Sequence, residues 1–226
     1  MPFYVAPEQL MKDRADYARK GIARGRALIA AEYADGVVFV SENPSRSLHK
    51  TSEIYDRIAF AAVGRYNEFE AMRVAGIRLA DIKGYQYARE DVTAKPLANA
   101  YSQALGAIFM GDSKPYEVEL MIAQIDGHDT PAELYHILYD GSIVDEHQYV
   151  AIGGEADALT EHLGEHWELG MDLDTVVRTC VATLSTVSGA PLTAEGLEVS
   201  GLDRTRPRRQ FFRLRDDALR SALGED

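Results

Sequence analysis

Two short strand-like runs, residues 27–32 and 36–41, stand either side of Asp35-Gly36, a dipeptide that favours a tight hairpin turn. Ahead of them, Pro7-Glu8 has the form of a helix start: proline loses nothing in a first turn, and the carboxylate meets the positive helix end. The helix this predicts over 7–20 has an apolar stripe of Leu10, Met11, Tyr17, Ala18 and Ile22, with Lys12, Asp13, Asp16 and Lys20 off it. A small-residue run, 58–63, reads as a strand that stops at Gly64 and gives way to a helix over 67–80. After a polar, tyrosine-containing connector (81–91), a second helix is expected over 93–110. It has Thr93 as N-cap, Pro96 in its first turn, and Leu97, Tyr101, Leu105 and Ile108 at helical spacing.

Alternation then resumes over 116–125, where Val118, Leu120 and Ile122 point one way and Glu117, Glu119 and Met121 the other. Strand-like pieces follow at 133–139 and 148–152, then helices at 156–167 and 173–187. Strands at 197–203 and 210–214 and a short helix at 216–223 complete the pattern. Strands on both sides of a helix pair predict an α+β fold: a four-layer αββα sandwich, two stacked sheets with helices outside, carrying an extra N-terminal helix. At 226 residues the chain suits one large domain, 7–226, preceded by a short tail, 1–6.

Charge narrows the partners. A net charge of −12 leaves nothing to offset phosphate repulsion, so no nucleic-acid partner is expected. The basic run Arg204-Thr205-Arg206-Pro207-Arg208-Arg209 is short and lies between strands, as a solvated turn would. One cysteine, Cys180, excludes an internal disulfide and falls in an apolar helix pattern, as a buried thiol does. No run approaches the ~18 apolar residues of a membrane span, and the first residues lack the basic and apolar regions of a secretory signal. These features point to a cytoplasmic protein with no membrane partner.

Several motifs go further. Tyr17-Ala18-Arg19, Gly25 before the first strand, the string ENPSRSLHKTSEIYDR (42–57), Gly64, the string KPYEVEL (114–120) and the string LYDGS (138–142) resemble proteasome α subunits, most closely the actinobacterial kind. The resemblance runs over about residues 7–215. It implies the N-terminal-nucleophile hydrolase sandwich, assembled as seven-membered α rings on β rings. Active members of that superfamily attack with a Thr, Ser or Cys exposed as residue one, its own amine serving as base. Aligned through Asp35-Gly36, the nucleophile's place falls on Arg26, a permanently protonated side chain that cannot attack a carbonyl. The same alignment puts Glu42 and Arg57 near the family's acidic and lysine partners. No catalytic residue, cofactor or metal is expected.

By the same resemblance the retained helix packs on the sandwich, and Met1, Pro2, Phe3, Tyr4, Val5 and Ala6 form a gate at the axial pore. Lys50 is the expected cation for the C-terminal carboxylate of a ring activator, an AAA ATPase or an ATP-independent ring. Arg57 is its rival and Gly64 a neighbour in that pocket. The loop Gly111, Asp112, Ser113, Lys114, Pro115 and Tyr116 would ring the channel mouth. The implied partners are β subunits, neighbouring α subunits, activators, and unfolded protein in transit. The other reading is a self-processing hydrolase with its own nucleophile. Gly141-Ser142 is the Gly-nucleophile junction available for it, and cleavage there would cut the domain in half. His162 and His166, spaced i, i+4, lack the H-E-x-x-H pattern of a zinc helix and read as a surface helix. Gly153-Gly154 has no phosphate-loop lysine, and Asp126-Gly127-His128-Asp129 reads as a hairpin tip rather than a calcium loop.

Overall fold

The structure is a computed structural model that describes residues 6–111, 113–127 and 130–224. Helix α1 (Pro7–Ala23) leads into the hairpin β1 (Leu28–Tyr33) and β2 (Gly36–Glu42), then β3 (Thr51–Tyr55) and β4 (Ile58–Gly64). Helices α2 (Tyr66–Gln86) and α3 (Ala94–Met110) follow, then β5 (Val118–Gln124), β6 (Glu133–Ile137), β7 (Ile143–Glu146) and β8 (Tyr149–Ile152). The chain continues through α4 (Ala156–Gly164), α5 (Leu173–Ser188), β9 (Leu197–Asp203), β10 (Phe211–Leu214) and α6 (Asp216–Leu223). The strands form two antiparallel sheets, ordered β10-β9-β2-β1-β8 and β3-β4-β5-β6-β7.

Strand alternation sorts the side chains into three apolar layers. Between the sheets lie Leu28, Ala30, Val37, Phe39, Ala59, Ala61, Met121 and Ala123. On the far face of the first sheet, Ile29, Val38, Val40 and Val199 meet α4, α5 and α6 through Leu159, Val177, Cys180 and Leu219. On the far face of the second sheet, Phe60, Leu120 and Ile122 meet α2 and α3 through Phe69, Leu97, Tyr101 and Leu105. This is the four-layer αββα sandwich the sequence predicts. Cys180 is fully buried, and that burial pushes its thiol up to about 12.

Several local expectations change. In α1 the buried stripe is narrower: Ala18 and Ile22 join the inter-sheet layer, with Met11 and Ala15 packed against it, while Leu10 and Tyr17 are exposed. Helix α2 continues through most of the expected connector to Gln86. Thr93 stands at the N-cap of α3, but its side chain makes no capping bond. The Ala94 amide donates instead to Gln124 Oε1 at 2.6 Å, so a buried sheet side chain starts the helix. Helix α4 ends at Gly164, and Trp167 packs beyond it with its indole nitrogen donating to the Glu32 carbonyl at 2.9 Å. Strands β3 and β7 have no counterpart in the elements read from residue pattern. Both are edges of the second sheet, half-exposed and without clean alternation, and β3 carries an irregularity between Glu53 and Tyr55.

Candidate functional site

The joint between α1 and β1, residues 24–27, runs over a floor of glycines. A Cβ on Gly154 would lie 3.0 Å from the Ala23 carbonyl and 3.1 Å from that of Gly25, and one on Gly25 would lie 3.6 Å from the Gly64 nitrogen. Arg26 stands in this joint. Its Nε donates to Glu42 Oε1 at 2.7 Å, and its backbone carbonyl accepts from Lys50 Nζ at 2.7 Å. Lys50 opens β3. Its own carbonyl accepts from the Ala62 amide at 2.9 Å, and its amide donates to Glu198 Oε2 at 3.0 Å. Burial, reinforced by the nearby Arg26 charge and opposed by Glu198 and Glu42, pulls the Lys50 ammonium down to about 8.

Two groups of residues that the sequence treats as separate sites therefore meet here. Glu42 pairs with Arg26 at 2.7 Å. The cation that reaches the Arg26 backbone is Lys50, while Arg57 lies away from this joint. Arg57 sits in the β3–β4 turn, bonded to Asp126 Oδ1 at 3.0 Å and to the Glu90 carbonyl at 3.1 Å. The β3–β4 register runs from Tyr55↔Ile58 to Thr51↔Ala61, so Lys50 and Gly64 share one end of the hairpin and Arg57 occupies the other. A small cleft of about 160 Å³ opens beside Arg26 and Glu42, with Leu159, Leu184 and Val187 as its apolar wall.

Gly64 has φ +102, and a Cβ there would lie 1.9 Å from the Glu117 carbonyl. The backbone its missing Cβ admits is the chain's own. Beyond it, the described part of the loop Gly111–Tyr116 is fastened on two sides. The Arg14 guanidinium of α1 donates to the carbonyls of Phe109 (2.7 Å), Ile108 (3.2 Å) and Ser113 (2.8 Å), closing the open end of α3. Lys114 Nζ bridges Glu68 at 2.5 Å and Glu117 at 3.2 Å, while Pro115 is buried. Lys114 also lies over the rings of Tyr17 and Tyr116. Asp112 and residues 1–5 lie outside the described residues; Ala6 accepts from the Leu10 amide at 3.1 Å.

A buried polar cluster holds the floor of this region. Glu198 Oε1 accepts from the Thr51 hydroxyl (2.6 Å), the Thr51 amide (3.1 Å) and Arg213 (2.5 Å), and Oε2 accepts from Asn43 (2.6 Å) and the Lys50 amide. Burial would raise this carboxyl, but the bonds from Thr51, Lys50, Asn43 and Arg213 outweigh it and hold its pKa below the usual range. Sequence reading missed Glu198. The available signal was a carboxylate at an inward position of the strand sequence LEVSGLD.

The remaining motifs are structural. Gly141 and Ser142 sit in a tight turn between β6 and β7, where the Gly141 carbonyl accepts from Ser102 and the Ser142 amide donates to Asp140. His162 and His166 stack at 4.4 Å, one ring nitrogen on Thr183 and the other on the His162 carbonyl. Among the described residues, no group of three or more His, Cys, Asp or Glu is placed to hold a metal ion. Arg204 of the basic run donates to the carbonyls of Asp126 and Thr130, and Arg209 pairs with Glu53. No helix among the described residues is long and apolar enough to cross a membrane.

Comparison with known proteins agrees with this arrangement. Residues 22–201 match the family model described as Proteasome subunit. The chain is 56% identical to the proteasome subunit alpha of Kineococcus radiotolerans over 98% of its own length and 97% of the relative's. It is 57% identical to that of a Nocardioides species over 100% and 90%, and 55% identical to that of Thermomonospora curvata over 100% and 98%. The chain belongs to the proteasome subunit family, and within it is similar to the alpha subunits.

Proposed function

We propose that this chain is a non-catalytic subunit of the α ring of a 20S proteasome core in the cytoplasm. Residues 1–6 gate the axial pore, and 7–226 form the body that seats on the β ring and on neighbouring copies. Proteolysis resides in the threonine sites of the β subunits, to which the ring admits unfolded chains. The observation that carries this reading is Arg26. The position a nucleophile would take holds a guanidinium paired with Glu42, reached through a retained helix rather than a free amine. Activators, the AAA ATPase ring and ATP-independent rings, dock their C-terminal carboxylates at Lys50, beside Gly64. The hairpin geometry supports Lys50 over Arg57, whose guanidinium is already bonded at the far end.

The direct test compares peptide hydrolysis by this chain, by β subunits alone, and by the two assembled, with and without residues 1–6. The chain alone should be silent, and removing residues 1–6 should accelerate turnover by the assembly severalfold. Hydrolysis by the chain alone, accompanied by a new Ser or Thr N-terminus, would overturn the reading.

Docking should also depend on pH. A carboxylate needs the charged form of Lys50, whose pKa is about 8 before anything binds. Affinity for a tail peptide should therefore fall about tenfold between pH ~7 and ~9, as the ammonium loses its proton. Calorimetry on the assembled particle measures this, and the Lys50→Met variant should bind weakly with no such slope.

A further inference from the structure

We propose that the cleft between the β2–β3 loop and the β10–α6 joint is a binding site for a small organic phosphate, held by Arg46, His49 and Arg215. The site is independent of the docking reading above, since neither Arg26 nor Lys50 lines this cleft.

The cleft has a volume of about 340 Å³, in the range of small-molecule pockets and more than a bare ion fills. Leu197 of β9, Leu214 of β10 and Leu219 of α6 give it an apolar side, suited to the organic part of a ligand. Its charge runs against that of the whole molecule. On a chain of net charge −12, Arg46, Arg213, Arg215 and Arg220 here meet three carboxylates, Glu195, Glu198 and Asp216. Two of the arginines are already spent. Arg213 bonds Glu198 and the Thr51 carbonyl, and Arg220 pairs with Glu195 at 2.8 Å. Arg46 and Arg215 are exposed and, among the described residues, make no hydrogen bond or ion pair. Asp216 offsets one of these two charges but not both. Because the pair comes from separate segments, a ligand bridging it meets two planar forks, each matched to the oxygens of a phosphoryl group.

His49 gives the site its proton chemistry. Its Nδ1 lies 3.3 Å from Arg213 Nη1 and 3.7 Å from Glu198 Oε1. A guanidinium can only donate, so Nδ1 accepts and the ring is neutral, with its proton on Nε2. Burial and the charges of Arg213 and Arg215 keep it neutral by lowering its pKa, against the pull of Glu198. The other charges of the cleft are Arg46 on the same loop, the Arg220–Glu195 pair and Asp216. A bound phosphate answers the arginines and favours the imidazolium, so binding takes up a proton at His49.

Calorimetry on the full-length chain, alone and assembled with β subunits, tests this with adenosine 5′-monophosphate as probe. Adenosine, inorganic phosphate and citrate are the controls. The monoester should bind, adenosine should not, and the two other anions should bind at least about tenfold more weakly. Arg46→Gln and Arg215→Gln should each weaken the monoester by about tenfold or more. Both side chains are exposed, so neither change should move the thermal midpoint. Near pH ~7, in two buffers of different ionisation heat, binding should take up protons, and His49→Gln should lose that uptake. Inorganic phosphate or citrate binding as tightly as the monoester overturns the organic-phosphate site. Absence of binding, or an affinity unchanged in both arginine variants, overturns it as well. Binding by the chain alone that vanishes in the assembly makes the cleft a subunit contact and overturns the ligand site. Proton uptake that persists in His49→Gln overturns the role of the imidazole.

Discussion

Replacing Glu198 by alanine should destabilise the folded chain by about 3–5 kcal/mol, because it removes one half of a buried ion pair and strands the rest of its cluster. The Arg213 guanidinium, 14% exposed, would keep its bond to the Thr51 carbonyl but lose its counter-charge. The Asn43 amide and the Thr51 hydroxyl and amide would lose their acceptor together. Glu198 belongs to β9 in the first sheet and Thr51 to β3 in the second, so the cluster is a staple across the two sheets. For a chain of this size the loss should lower the thermal midpoint by about 10 °C, and Glu198→Gln, which keeps one oxygen, should fall between. The sign with pH is fixed by the lowered pKa. The staple contributes fully above the unfolded carboxylate range near ~4.3, and the contribution is lost as pH falls through the lower folded value. A Glu198→Ala chain that melts with the parent would mean that water replaces the carboxylate without loss.

The second large effect is expected at Gly64. Alanine there must adopt φ +102 with its Cβ 1.9 Å from the Glu117 carbonyl, which accepts from the Arg65 amide at 2.9 Å where the β4–β5 ladder ends. Left-handed strain and a clash that cannot relax without parting two strands should together cost about 3 kcal/mol or more. The matched control is Gly127→Ala, where a Cβ meets nothing within 4 Å, and the midpoint should barely move. The comparison bears on function, because Gly64 is also a natural candidate for lining a docking pocket. If Gly64→Ala weakens tail binding in proportion to its loss of stability, the glycine acts through the β4–β5 ladder. A stable variant that fails to bind would restore a direct role in the pocket.

Much of the architecture was legible from period alone. Residues 116–125 alternate cleanly because one face of β5 meets Phe60 and Leu105 in the helix-side layer and the other meets Phe39 between the sheets. The helix-side face is apolar from Val118 to Ile122, while the other carries Glu117 and Glu119 beside Met121 and Ala123, which leaves a readable rhythm. Edge strands β3 and β7 have one unpaired side and half-exposed faces, so their sequences carry no such pattern. The site was legible in its residue types and less so in its pairings. The Arg26–Glu42 pair joins two positions singled out in the sequence, whereas the reach of Lys50 to the Arg26 carbonyl depends on where β3 sits against β4, which local sequence does not encode. Arg14 and Glu198 were hidden for a related reason. Arg14 acts on carbonyls at least 94 residues away, and Glu198 accepts from Asn43, Lys50 and Thr51, at least 147 residues away, so neither has a local motif.

Burial of the lone thiol gives the molecule an experimental convenience. Cys180 is enclosed between α5 and the first sheet with its ionisation suppressed, so maleimides applied near neutral pH find almost no thiolate to attack. A cysteine introduced at an exposed position of α1 such as Lys12 would then be the one site to accept a fluorophore, with no need to remove the native residue first. Rotation of that helix could be followed optically in an otherwise unaltered ring.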